Sequence, residues 1–324
     1  MRTPPVLRPS RTRAWCERMF VAVERLVTAL LYPYGLLRQR WGRRPAVPIL
    51  MYHQVSRPVD GATFGDCVSP ERFELQVRAI QNAGYRVIPL QSLVRAMRQS
   101  PPPALARCVV ITFDDGFRDQ FRNAYPVLRR HGLPATFFLI AGYLGTDSLF
   151  PHLAPAGAHT DAPEAWLPLT WDQARAMAQH GMDIGSHTVW HRSLGCLPLE
   201  EARREVEQSR EILEQRLGHP VKFFAYPFGS RAYGDFTPAI ADLLRQAGYG
   251  GACTTVVGTS GPGVDAFALR RIPMEEADGA FRVRCKLVGA YDWVGRIKNA
   301  WQRLVPREDR VDAGLVLRAT PDEG

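Results

Sequence analysis

No two of the six cysteines form a Cys-x-x-Cys pair. They lie scattered at positions 16, 67, 108, 196, 253 and 285, which excludes a zinc knuckle and a dense disulfide framework. Unpaired buried thiols fit this pattern and favour a reducing compartment. Long apolar runs are also missing. A membrane-spanning helix needs about 20 apolar residues. The best stretch, Leu26 to Leu37, has 12, contains Pro33 and Gly35, and follows Glu24 and Arg25. No Ala-x-Ala-like site comes after it, so a cleavable signal peptide is not expected. Internal repeats are absent as well, which excludes solenoids and propellers.

With 46% hydrophobic and 23% charged residues, the chain is neither disordered nor fibrous. Its 324 residues suit one barrel of roughly 250 residues plus appendages. The net charge of +9 is unevenly placed. Residues 1–45 hold ten Arg and two Glu, residues 46–281 hold 22 basic and 24 acidic groups, and residues 282–310 hold eight basic and three acidic. A nucleic-acid-binding domain carries its basic groups on the folded face, so no nucleic-acid partner is expected. The chain divides into a basic N-terminal segment (1–45), a nearly neutral central domain (46–281) and a basic C-terminal helix and tail (282–324).

Trp15, Met19, Val23, Leu26 and Leu30 recur at helical spacing. Beside so many arginines they predict an amphipathic helix suited to an anionic membrane surface. A helix packed on the barrel is the alternative. Residues 282–304 predict a basic helix with Val288, Trp293, Ile297 and Trp301 among its apolar positions. The expected location is a membrane surface, the cytoplasmic side favoured.

In the middle, short apolar runs alternate with helical patterns. Strands are expected at Val47–Tyr52, Cys108–Phe113, Ala135–Ile140, Met182–Ser186, Val221–Tyr226, Gly250–Thr254 and Ala268–Ile272, with a weaker one at Arg86–Pro89. Helices are expected at Pro70–Ala83, Leu90–Arg98, Asp119–His131, Thr170–His180, Pro198–Leu217 and Thr237–Gln246. This alternation predicts an α/β fold with a parallel sheet and helical crossovers. Seven or eight units favour a closed barrel over an open sheet. Residues 141–169 and 258–266 interrupt the rhythm and are expected to be substrate-facing loops.

Three strand ends carry chemistry. The run Thr112-Phe113-Asp114-Asp115-Gly116 ends a buried strand in two carboxylates, and Gly116 permits a bend that brings both to one pocket. Two close carboxylates divide labour, one binding a metal and the other accepting a proton. In Ser186-His187-Thr188-Val189-Trp190-His191 the two imidazoles lie four apart, which places them on one side of a helical turn. Asp115, His187 and His191 would supply three ligands and leave positions open, the pattern of a catalytic metal site. The run Ala225-Tyr226-Pro227-Phe228-Gly229 ends a third strand in a turn that can aim backbone N–H groups at a developing oxyanion.

TFDDG, SHTVWH and AYPFG, in that order, closely resemble the motifs of the polysaccharide deacetylase family over about residues 46–275. The resemblance implies a distorted or incomplete (β/α) barrel, here with helical appendages at both ends. It implies a metal-dependent hydrolase that removes N-acetyl groups from an amino-sugar polymer or oligosaccharide. Asp114 would be the base, Asp115, His187 and His191 the metal ligands, and the Phe228 N–H an oxyanion donor. Tyr226, Pro227 and Trp190 are the candidates for substrate contact. Zn is the expected metal from the nitrogen and oxygen ligands, with Co, Ni or Fe able to serve.

Two departures stand out. The third motif usually carries an Arg two residues before its Pro, where this chain has Ala225; Arg270 or Arg271 could replace it. No His follows His219, although many members use a late His as general acid. His53, ending the first strand, resembles the early acid of the poly-N-acetylglucosamine deacetylase branch. His131, His180 and His219 sit at helix ends or a turn, and His152 and His159 in the long loop. Rival readings are deacylation of a lipid-linked or nucleotide-linked sugar at a membrane surface, and an inactive carbohydrate-binding relative.

Overall fold

A computed structural model describes residues 11–41, 46–57, 67–99, 105–150 and 164–297. His152, His159, residues 151–163 of the long loop and Trp301 lie outside the described residues. Eight strands run parallel: β1 (Ile49–Tyr52), β2 (Arg86–Val87), β3 (Cys108–Phe113), β4 (Thr136–Leu139), β5 (Asp183–Ser186), β6 (Phe223–Ala225), β7 (Gly251–Val257) and β8 (Leu269–Pro273). Seven of them close a barrel in the order β1-β3-β4-β5-β6-β7-β8, with β8 pairing back to β1. Short β2 pairs only with Cys108 and Val109 at the start of β3. The expected barrel is therefore present, and it closes.

Strand alternation sorts the side chains. Val109, Ile111 and Phe113 of β3 pack outward, where Phe113 meets Phe73 of helix α3 (Pro70–Asn82) and stacks on Phe137 at 4.6 Å. Cys108 and Val110 belong to a separate inner cluster with Ile49, Phe138, Phe223, Ala225, Cys253 and Leu269. Leu90 and Leu93 of helix α4 (Leu90–Met97) join that cluster. The same period of two continues the inward face of β3 to Thr112 and Asp114, of β1 to Met51 and His53, and of β8 to Arg271. An apolar inner layer thus lies beneath a polar one.

Local sequence explains the crossover helices. Ser69 caps α3 ahead of Pro70, and Thr170 and Gln173 form a capping box on the helix Trp171–Gln179. Gly218 ends the long helix Leu199–Leu217 in the left-handed conformation. The predicted helix from Asp119 begins with a π-helical turn, Gln120–Ala124, before continuing as Tyr125–His131.

Three expectations are corrected. Residues 258–266 do not face substrate. Pairing between β7 and β8 shifts register between Cys253 and Val257, and Ser260 then pairs with Val47 ahead of β1, at the opposite end of the barrel from the motifs. The C-terminal segment is not one helix. Residues Ala280–Leu287 are helical, Gly289 turns at φ 76°, and helix resumes over 292–297. The first of these pieces packs on α3 and crosses the boundary expected at 281. Nor are all the thiols buried, since Cys196 is exposed and Cys67 half-buried.

Candidate active site

The motif residues gather at the C-terminal ends of the strands, where parallel barrels place their sites. Asp115 follows β3 with φ 71°, and Gly116 continues the bend at φ 82°. A Cβ at Gly116 would meet the Leu139 side chain at 2.9 Å, so glycine suits both the conformation and the space. Successive residues on a straight strand point apart; this bend instead brings both Asp114 and Asp115 close to His187.

Asp115 Oδ1 lies 3.4 Å from Nε2 of His187 and 3.4 Å from Nε2 of His191. The three ligand atoms all fall within 4.8 Å of one another, with Asp115 and His187 buried. Ligands bonded at about 2.0–2.1 Å to a tetrahedral ion sit about 3.3–3.4 Å apart, so these donors fit such a centre. His187 Nδ1 lies 2.7 Å from the Ala225 carbonyl. Donation there leaves Nε2 as the lone-pair donor toward the cluster. Ala225, the residue at the third-motif position that departs from the expected Arg, therefore orients the His187 ring through its backbone carbonyl.

The two imidazoles do not share a helical turn. His187 directly follows β5, and residues 188–191 form a loop in which Thr188 and His191 have φ of 68° and 58°. Thr188 Oγ1 accepts the His191 N–H at 2.8 Å, and Glu205 Oε2 accepts those of Val189 and Trp190 at 2.8 and 3.0 Å. Burial pushes the Glu205 carboxyl up, against these two backbone bonds.

Arg271 settles which of the two candidate arginines faces inward. It is fully buried, whereas Arg270 is exposed. Its NH1 and NH2 each lie 2.6 Å from a different Asp114 oxygen, and its Nε donates to Thr254 O at 2.9 Å. Burial pushes the Asp114 carboxyl up, but Arg271, then His187 and His53, outweigh it and hold the group below the usual carboxylate range. His53 Nε2 stands 3.9 Å from Asp114 Oδ2 and keeps partial access to solvent.

Among the residues expected to touch substrate, Tyr226 is corrected. It is fully buried and donates its hydroxyl to Phe267 O. Pro227 is buried too. Trp190 is 52% exposed and meets Tyr143 edge-on. Phe228 adopts φ 58°, its carbonyl accepts from Thr255 Oγ1, and its ring lies 5.0 Å from that of His191.

Sequence reasoning missed the residues behind the site. Gln120, buried in the π-helical turn, donates its amide to His53 O at 2.8 Å and to Asp114 O at 2.6 Å. It ties two strand ends together. Asp119 accepts from Val55 N at 3.1 Å. Glu205 was detectable, as an acid on the otherwise buried face of Ala202, Val206, Ser209 and Leu213.

Comparison with known proteins agrees with the geometry. A family model described as Polysaccharide deacetylase matches residues 102–252. YxkH of Bacillus subtilis (strain 168), which carries a polysaccharide deacetylase name, is 30% identical over 230 residues, covering 71% of this chain and 72% of that one. The Poly-beta-1,6-N-acetyl-D-glucosamine N-deacetylase of Staphylococcus aureus (strain MSSA476) is 24% identical over 164 residues, or 50% of this chain and 53% of the relative. Among solved structures, the Streptococcus pyogenes deacetylase PplD in complex with acetate shares the fold with a TM-score of 0.64 at 24% identity, over 75% of this chain and 99% of that one. Fold and site together define a barrel hydrolase of the carbohydrate deacetylase class. The chain belongs to the polysaccharide deacetylase family.

Proposed function

We propose that the protein is a metal-dependent hydrolase that removes N-acetyl groups from an amino-sugar polymer or oligosaccharide. The observation that carries this reading is the convergence of Asp115, His187 and His191 beside an Asp114 held by Arg271. A divalent metal bound by these three, Zn by ligand preference, supplies Lewis-acid polarisation of the acetyl carbonyl and a water of lowered pKa. Asp114, kept ionised by Arg271, accepts the proton of the attacking water. The Phe228 N–H donates to the developing oxyanion. His53, at the edge of the pocket, protonates the departing sugar nitrogen, since an amine leaves poorly as an anion. Trp190 offers an exposed ring face to a sugar.

The relative that acts on poly-N-acetylglucosamine supports a polymeric substrate. The test is acetate release from poly-N-acetylglucosamine, chitooligosaccharides, and lipid-linked and nucleotide-linked N-acetyl sugars, with and without a chelator. The expected result is release from the polymer or oligosaccharides that the chelator stops and added metal restores. Release confined to lipid-linked or nucleotide-linked sugars overturns the substrate reading. Chelator-resistant release overturns the metal, and no release from any of them favours a binding protein.

A further inference from the structure

The first helix is inside out. Helix α1 (Arg11–Leu30) turns Glu24 and Thr28 toward the protein, 3% and 2% exposed. Glu24 pairs with Arg282 at 2.9 Å, and Thr28 Oγ1 accepts from the Trp293 indole at 3.1 Å. Arg282 in turn holds Asp278 at 2.6 Å, and Lys286 pairs with the same carboxylate. At 100° per residue, the face opposite Glu24 and Thr28 carries Met19, Val23, Leu26 and Leu30. These four are 45, 48, 61 and 70% exposed. Tyr34, Leu36 and Leu37 of helix α2 (Tyr32–Trp41) are exposed as well. A soluble helix normally turns such a stripe to the core. Here the buried ion pair fixes the opposite orientation, because rolling the helix would take the Glu24 carboxylate away from Arg282 and the Thr28 hydroxyl away from Trp293.

We propose that this face docks on an anionic lipid surface. Charge selects the occupant. Residues 1–45 hold ten Arg and only two Glu, and Glu24 is engaged within the fold. Arg25, Arg38 and Arg40 stand exposed on the same two helices. A second copy laid on the stripe would bring two cationic segments together, whereas anionic headgroups neutralise them. No described helix is long and apolar enough to cross a bilayer, so α1 lies along the interface with its leucines in the acyl boundary.

The test uses the full chain, with vesicles of phosphatidylcholine alone and of phosphatidylcholine containing one-third phosphatidylglycerol. The expected result is co-sedimentation with the anionic vesicles, weakened by salt. The Leu26→Ser/Leu30→Ser variant should bind about tenfold or more weakly. Both leucines are exposed, so its thermal unfolding stays at the wild-type level. Absence of wild-type binding to anionic vesicles, equal binding to neutral ones, or undiminished binding by the variant overturns the proposal. A wild-type dimer in sedimentation velocity that the variant converts to monomer, without vesicle binding, gives the face to a second copy instead. Acetate release from soluble substrate is read separately, so failure of docking and failure of the proposed chemistry are distinguishable.

Discussion

At the scale of single residues, the site rests on one buried ion pair. Asp114 and Arg271 are both almost fully removed from solvent, so neither charge is tolerable without the other. Replacing Arg271 with Met should lower stability by about 3–5 kcal/mol and abolish turnover. Urea unfolding checks this, and a loss below about 1 kcal/mol would contradict the pairing argument. Asp114→Asn keeps the shape and removes the proposed proton acceptor. Its expected outcome is no acetate release at unchanged metal content, and retained turnover would exclude Asp114 as base. His187 sets a pH dependence. Burial pushes its pKa down, but Asp115, Asp114 and the Ala225 carbonyl outweigh this and raise it above the ordinary imidazole value. Protons therefore compete with metal for Nε2 from a higher pH than usual. Metal affinity should fall as pH drops through that raised value, whereas without metal the same group adds stability at low pH and loses it as pH rises. Metal competition titrations across the neutral range check the sign, and a flat profile would count against it. The position of Arg271 was half legible in the sequence. Period-two alternation shows that only one of two adjacent arginines can face inward, but choosing between them requires knowing where Asp114 lies.

At the scale of elements, what holds the site is a set of loops fixed from behind. The 188–191 loop contains two non-glycine residues at positive φ, a conformation that persists only when its surroundings impose it. Glu205 imposes part of it by accepting two backbone N–H groups. Glu205→Ala should weaken metal affinity about 10–100-fold, measured against a chromophoric chelator. The control is Glu211→Ala, on an exposed position of the same helix, which should change nothing. An equal loss in both would reduce the effect to general helix damage. Strand and helix positions were readable because period two, helical spacing and the caps all act locally. The loop conformation was not, because it depends on a carboxylate 15 residues further along the chain. A spacing of four between two His was read as a helical turn, and a strand end followed by a left-handed loop satisfies it equally well.

At the scale of the whole molecule, the alternation and number of units pointed to a closed parallel barrel, whereas the pairing of β1 with β3, which leaves β2 outside it, was not legible. Because the proposed ligands Asp115, His187 and His191 follow the ends of β3 and β5, a metal held by them should bind the closed barrel and not the unfolded chain. At a hundredfold excess over Kd it should add about 2.7 kcal/mol of stability. Calorimetry should show a metal-dependent rise in Tm that His191→Ala removes, and a rise unaffected by that change would place the ion elsewhere. The N-terminal segment is helical over residues 11–41, as its spacing predicted, whereas the C-terminal one breaks at Gly289. The inward turn of Glu24 and Thr28 in α1 was invisible, since a sequence shows that a helix has two faces and not which polar pairs will hold one of them inside. One further consequence concerns the order in which the chain is made. Arg271 lies 157 residues after the carboxylate it neutralises. At about 5–20 residues per second, roughly 8–30 s of synthesis separate the two. Throughout that interval the nascent β3 carries a charge it cannot bury. The inner layer of the barrel must therefore wait for β8, and a ribosome-bound chain that stops short of it should remain a substrate for chaperones.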